Sequence, residues 1–255
     1  MSASITSIFP ARISPISTGT LTITGTGFTG YTGGTVDGRA LTNFVVVSDA
    51  EITAAWPVRV TNGRVDFHQD DVAVQITNGT DTAAGVVTYV SPVNLRIAQD
   101  LEDVLSAAST VTGYFFNWSA PQVVRGKFDI STRATNGQWP VGVVWLEDEK
   151  YNEAESTANL RVYDVPFGIG ALFPLRDNME PTAHATLLMA DLVRAAYLHI
   201  SHGNVALSTD VDEKNYDVFP WESGMLLGVH IHGICKYQHV AQDSTQEVFW
   251  TNTQP

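Results

Sequence analysis

The chain has 255 residues, enough for one large domain or two domains of ordinary size. Only 16% of the residues are charged and the formal net charge is -13, which argues against a broad nucleic-acid-binding face and against an electrostatic membrane anchor. Cys235 is the only cysteine, which excludes an intramolecular disulfide and a zinc site built from thiolates. No secretory signal or membrane-spanning run is expected from the sequence.

The first third of the chain has the pattern of an all-β domain. Short runs rich in β-branched residues alternate with Gly, Asn, Asp and Pro, and no helical pattern interrupts them. The spacing predicts a small sandwich of two sheets. Its candidate strands are Ile5–Phe9, Thr20–Thr24, Thr35–Val36, Asn43–Val47, Ile52–Trp56, Val72–Thr77 and Gly85–Tyr89.

The stretch Leu21–Gly30 is the most distinctive part of this region. It predicts a strand that bends at Gly25 and Gly27, after which Phe28 turns back into the core. Together with Ile8-Phe9-Pro10 and the segments at 74–79 and 87–90, this stretch resembles the IPT/TIG domain family. The resemblance implies an immunoglobulin-like sandwich that serves as a binding or spacer module and carries no catalytic residue.

After Ser91-Pro92 the pattern changes to an α+β domain, in which two helices pack on a mainly antiparallel sheet. Apolar residues at helical spacing predict one helix between Leu95 and Ala108 and a second over Pro181–His199. Residues 1–91 are thus the sandwich, 92–240 the α+β domain and 241–255 a polar C-terminal tail. The strands predicted in the second domain are Tyr114–Trp118, Lys127–Thr132, Val141–Leu146, Leu160–Val165 and Met225–His239, the last broken at Gly233.

Three groups of side chains are candidate sites. A metal centre could use the four histidines His199, His202, His230 and His232. The alternation of His230 and His232 also suits the surface of a strand whose other face belongs to the core, and this is the preferred interpretation. One acidic cluster could bind calcium, and it consists of Asp210, Asp212, Glu213 and Asp217. A second acidic cluster could hydrolyse a glycoside, and it consists of Asp148, Glu149, Glu153 and Glu155. Solvated loops are the preferred interpretation of both clusters. We predict no catalytic, cofactor-binding or metal-ligating residue and no cofactor.

Aromatic residues in the second domain could form a sugar-binding face, and core or interface anchors are the alternative. They are Phe115, Phe116, Trp118, Trp139, Trp145 and Trp221. The run Arg161–Gly170, with Pro166 and two glycines, is predicted to be an exposed apolar loop that contacts another subunit.

The layout of residues 93–240 is similar to that of tail-terminator and tail-completion proteins of long-tailed bacteriophages. The resemblance implies a non-enzymatic virion protein, assembled in the host cytoplasm. It would form a homo-oligomeric ring, with a hexamer expected, and contact other tail and neck proteins. DNA would only pass through an acidic lumen, and no membrane would be involved. The alternatives are a carbohydrate- or cell-surface-binding protein and a histidine-based metal-dependent enzyme.

Overall fold

The computed structural model describes residues 3–61, 63–126, 139–157, 159–176, 179–199, 202, 206–221 and 224–240. The chain divides into two compact units, Met1–Pro92 and Val93–Pro255. The predicted strand Lys127–Thr132 and the tail from residue 241 lie outside the described residues. Among the described residues, no helix is both long enough and apolar enough to cross a membrane.

The N-terminal unit is a sandwich of two sheets, as predicted. The first sheet has the order β1-β3-β7-β6 and the second β2-β11-β10-β4-β5, while β8 and β9 form a small separate pair. The strands are β1 (Ser4–Phe9), β2 (Arg12–Ile13), β3 (Gly19–Thr26), β4 (Gly33–Val36), β5 (Arg39–Ala40), β6 (Thr42–Ser48), β7 (Glu51–Trp56), β8 (Val60–Thr61), β9 (Arg64–Val65), β10 (Asp71–Thr77) and β11 (Thr82–Tyr89).

The end of β3 shows why glycines are needed there. A Cβ atom on Gly25 would overlap the carbonyl oxygen of Ser4 on the neighbouring strand, and Gly27 has a φ of 76°. Phe28 then turns inward and is completely buried, as predicted. The following turn is fixed by Asp49, which accepts hydrogen bonds from the amides of Gly27 and Thr29.

A buried arginine, which the sequence analysis did not single out, organises the other end of this unit. The guanidinium of Arg59 donates to both carboxylate oxygens of Asp70, at 2.5 and 2.9 Å, and lies 4.8 Å from the ring centroid of Tyr89. Its Nε lies 3.2 Å from Asp37 and 3.5 Å from Asp66. A buried cation needs such partners, because desolvation of an unpaired charge is costly.

The C-terminal unit joins one large sheet to two α-helices. The sheet order is β12-β13-β15-β17-β16, and β14 pairs with the first part of β15, at residues 162–164. The elements are α1 (Val93–Ser106), a 3-10 turn (Thr110–Thr112), β12 (Val123–Arg125), β13 (Val141–Leu146), β14 (Lys150–Asn152), β15 (Leu160–Leu175), α2 (Pro181–Leu198), β16 (Ser208–Trp221) and β17 (Gly224–Val240).

Both helices pack on the same face of this sheet. Buried positions of α1 and α2 share one core with alternate residues of the central strands, among them Ile169 on β15 and Ile231 on β17. The strand alternation therefore divides the sheet into a helix face and an outer face. The outer face carries Val143 and Trp145 on β13, Gly168, Gly170 and Leu172 on β15, and Gly228, His230 and His232 on β17.

Three sequence-based expectations about β15, β17 and the segment after α1 were wrong. The run Arg161–Gly170 is part of the long strand β15 and not an exposed loop, and Phe167 and Ile169 are fully buried. The segment predicted as a strand, Tyr114–Trp118, contains no strand, because the amides of Phe115 and Phe116 donate to the side chain of Asp191 on α2 instead of to a neighbouring strand. Gly233 does not interrupt β17, which pairs with β15 on both sides of that glycine.

Candidate functional site

The outer face of the C-terminal sheet contains a solvent-open groove of about 420 Å³. Its walls are apolar and aromatic, and its polar groups are few. Such a composition is typical of ligand pockets and of the centre of protein interfaces. The side chains that line it are those of Val143, Trp145, Leu172, Asp217, Phe219, His230 and His232.

Glycines give the groove its depth. A Cβ atom on Gly168 would overlap the indole ring of Trp145, so the indole lies directly on the backbone of β15. A Cβ atom on Gly170 would lie 3.1 Å from Val143, and one on Gly228 would lie 3.0 Å from the ring of Phe219. Trp145, Val143 and Phe219 can therefore lie close to the sheet because the positions beside them on β15 and β17 are glycines.

Imidazoles and carboxylates border the aromatic wall. The ring of His232 meets Trp145 edge-on at 5.5 Å between centroids, and His230 meets His232 edge-on at 5.3 Å. Nδ1 of His232 lies 3.4 Å from Glu147, and Asp217 lines the groove from the edge strand. The alternation of His230 and His232 with the buried Val229 and Ile231 agrees with the strand-surface interpretation of this pair.

The other two histidines lie on the opposite side of the sheet. Nδ1 of the buried His202 is 2.6 Å from Asp100 on α1, and His199 is 3.1 Å from the same carboxylate. Because the sheet separates them from His230 and His232, the four histidines do not form the metal centre considered from the sequence. Within the described ranges, no three His, Cys, Asp or Glu side chains are grouped so that they could hold a metal ion.

A Cys-His-Asp arrangement lies in the core beside α1. Sγ of Cys235 is 3.3 Å from Nε2 of His202, whose Nδ1 faces Asp100, and the hydroxyl of Thr209 is 2.9 Å from the same Nε2. This geometry resembles an activated thiol, but the sulfur is fully buried, and burial raises the pKa of Cys235 to about 12. The group therefore connects α1, β16 and β17 and does not present a nucleophile.

Burial alone would raise the pKa of Asp100. Hydrogen bonds from His202 and His199 outweigh that effect and hold the pKa of this carboxyl below its ordinary value. Asp100 is therefore an anion that fixes both imidazoles beside the end of α2. The contacts within this group could not be predicted from the sequence, because its members lie far apart along the chain.

The loop interpretation is wrong for one acidic cluster and agrees with the structure for the other. Asp210, Asp212, Glu213 and Asp217 belong to the exposed edge strand β16. The second cluster lies in the turn and loop residues on either side of the short strand β14. Among the aromatic residues, Trp118 is buried in the core, where its indole N–H donates to Asp191 at 3.2 Å. Trp145 is among the aromatic residues considered from the sequence, but its position in the groove was not predicted. That position depends on its pairing with Gly168 on β15.

Comparison with known proteins identifies part of the chain. Residues 3–91 match the model of the IPT/TIG domain family. No curated protein matches the sequence. Among solved structures, a protein from Bacteroides thetaiotaomicron VPI-5482, provisionally assigned as a phosphatase, is similar at 13% identity with a TM-score of 0.25. The similarity covers 36% of this chain and only 18% of that protein.

Two titin structures are also similar. The titin domains Z1Z2 in complex with telethonin match at 12% identity and a TM-score of 0.22, covering 67% of this chain and 85% of that one. An I-band fragment of titin matches at 8% identity and a TM-score of 0.22, covering 94% and 62%. Likenesses this weak carry no argument about function. The family match is specific, and residues 3–91 form an IPT/TIG immunoglobulin-like domain.

Proposed function

We propose that this protein is a non-enzymatic structural subunit of a bacteriophage virion, a tail terminator or neck-proximal tail protein that assembles into a homo-oligomeric ring. The observation that carries the proposal is the open groove on the outer face of the C-terminal sheet. An apolar groove with aromatic walls and a charged rim has the composition of a subunit interface.

The second unit supports this role through its organisation. Its two helices lie on one side of a mainly antiparallel sheet, and the other sheet face would be available for contacts with other subunits. The IPT/TIG domain would then be displayed outward as an accessory module. Part of the acidic surplus would face the ring lumen, where negative charge repels DNA and allows it to slide. Other tail and neck proteins would bind the ring during assembly in the host cytoplasm.

The oligomeric state of the purified chain tests this proposal. Light scattering coupled to size-exclusion chromatography is expected to give six copies, and negative-stain microscopy is expected to show rings with a central opening. Light scattering reports mass independently of shape, so an elongated monomer cannot be mistaken for a ring. A strictly monomeric particle at all concentrations would refute the proposal.

A second candidate function is carbohydrate binding, and the position of Trp145 favours it. The indole packs against the backbone of Gly168 and lines the solvent-open groove, whose wall on the edge strand carries the carboxylate of Asp217. Sugars stack on such rings, and carboxylates accept bonds from their hydroxyls. Glycan-array binding that is lost in Trp145→Ala but kept in Trp221→Ala would support this candidate. Trp118 is unsuitable for the test because it is part of the core.

A further inference from the structure

An exposed apolar loop lies on the helix side of the C-terminal sheet. Between α1 and β12, the side chain of Val111 is 94% exposed and that of Phe115 is 55% exposed. The loop belongs to the helix side because Trp118, which follows it in the chain, packs over Gly142 next to Leu105 of α1. We call residues 109–116 the Val111 loop.

The Val111 loop is held rigidly by α2. The buried carboxylate of Asp191 accepts hydrogen bonds from the amides of Phe115 and Phe116, at 2.8 and 3.0 Å. Arg194 donates to the carbonyl oxygens of Gly113 and Thr112, at 2.8 and 3.2 Å. A loop fixed in this way presents its apolar side chains without losing much conformational entropy on binding, which favours a role in contact.

The groove and the Val111 loop are complementary in charge. Arg194, which is exposed beside the loop, supplies a positive charge next to the apolar side chains. The groove carries Asp217 in its wall, and Glu147 lies beside His232 at its rim. An arginine that meets carboxylates around an apolar centre fixes the orientation of a contact and disfavours wrong pairings.

We infer that the Val111 loop of one copy of this chain inserts into the outer-face groove of the next copy. The inference rests on the proposed self-assembly and names the surfaces that carry it. The loop and the groove lie on opposite sides of the same sheet, so the contact is heterologous: one copy's loop side meets the next copy's groove side. Contacts of this kind repeat head to tail and close into a ring when the rotation between copies permits it.

The test uses two full-length variants with lesions on opposite sides. Val111→Ser combined with Phe115→Ser removes the inserted side chains, and Leu172→Lys places a charge in the groove. The matched control, Val47→Ser with Val86→Ser, removes exposed valines from the N-terminal unit. Each lesion is expected to weaken self-association by about 30-fold or more, as loss of an interface hot spot does, while the control assembles like the wild type.

Mixing the two variants gives the sharper result. One intact loop and one intact groove remain in the mixture, so sedimentation velocity is expected to show a one-to-one dimer that does not grow. Far-UV circular dichroism checks that each variant is folded. If Leu172→Lys unfolds, Asp217→Lys replaces it, because Asp217 is exposed on the edge strand.

The outcomes separate this inference from the proposed function. If the wild type forms rings and the loop variant still does so, the contact is wrong while self-assembly stands. If both variants are monomeric but their mixture gives no dimer, the loop does not enter the groove. A wild type that stays monomeric would overturn both proposals.

Discussion

Asp191 offers a quantitative test of how the Val111 loop is fixed. Its side chain is 1% exposed, and its two oxygens accept hydrogen bonds from the amides of Phe115 and Phe116 and from the indole of Trp118. Asp191→Ala would leave all three donors without this acceptor. Each buried donor without a partner costs about 1–3 kcal/mol. The two amides are only partly buried, so the lower end applies, and we expect the C-terminal unit to lose about 3 kcal/mol.

Urea unfolding followed by far-UV circular dichroism measures this loss, and amide hydrogen exchange locates it. The amides of Phe115 and Phe116 should be protected in the wild type and exchange faster in Asp191→Ala. Asp191→Asn keeps one acceptor oxygen, so about half of the loss is expected. Thr186→Ala on the exposed side of the same helix is the control and should change stability by no more than about 0.5 kcal/mol. A loss below about 1 kcal/mol in Asp191→Ala, or unchanged exchange at both amides, would refute the reasoning.

Three further predictions concern Gly25, Asp66 and Cys235. Gly25→Ala should destabilise the sandwich by about 1–3 kcal/mol through overpacking, whereas Gly33→Ala, with open space around it, should be much milder in urea unfolding. Burial would raise the pKa of Asp66, but hydrogen bonds from a neighbouring histidine and attraction to Arg59 lower it. The contribution of the ionised Asp66 to folding stability is therefore complete above the unfolded-state pKa near 3.8 and is lost as the pH falls toward the lower pKa of the folded state. The urea midpoint should therefore decline less steeply below about pH 4 in Asp66→Asn than in the wild type. Cys235 should not react with a thiol reagent at pH 8 until urea is added, and one equivalent of reaction in native protein would contradict its burial.

The IPT/TIG domain could be predicted from the sequence because its signals are local. Leu21 and Ile23 alternate with threonines, and turn residues follow each short strand, so patterns of a few residues define the elements. Arg59 could not be found in this way. Its partners Asp37 and Asp70 are brought to it by the fold, and the positions along the chain give no sign of the contact.

In the second unit, the misassigned strands had lost the usual alternation for physical reasons. β16 is an edge strand that is exposed on both faces, and a register shift lies between Val211 and Glu213, so its acids gave the pattern of a loop. β15 contains Pro166 and two outer-face glycines, which normally argue against a central strand. Gly168 is nevertheless required there, because the indole of Trp145 occupies the space that a side chain would fill.

The candidate groove could be predicted only in part. The alternation of His230 and His232 placed them on one side of a strand, and this follows from the period of two alone. The neighbours of His232 could not be deduced, since they depend on the register between β13, β15 and β17. The same limitation applies to Cys235, whose contact with His202 joins residues that lie far apart along the chain.

The position of β17 has a consequence for the timing of biosynthesis. This strand lies between β15 and β16, yet it follows both of them along the chain. Its pairing with β15 includes Leu160 and Val240, which lie far apart along the chain. Non-local pairing of this kind forms slowly. Domains fold as units from the N-terminal side during translation, so the sandwich can be complete while the groove, which needs Gly228 and His230, does not yet exist. A partly synthesised chain would therefore be unable to recruit a neighbour through this groove, and assembly would be confined to chains whose second unit is finished.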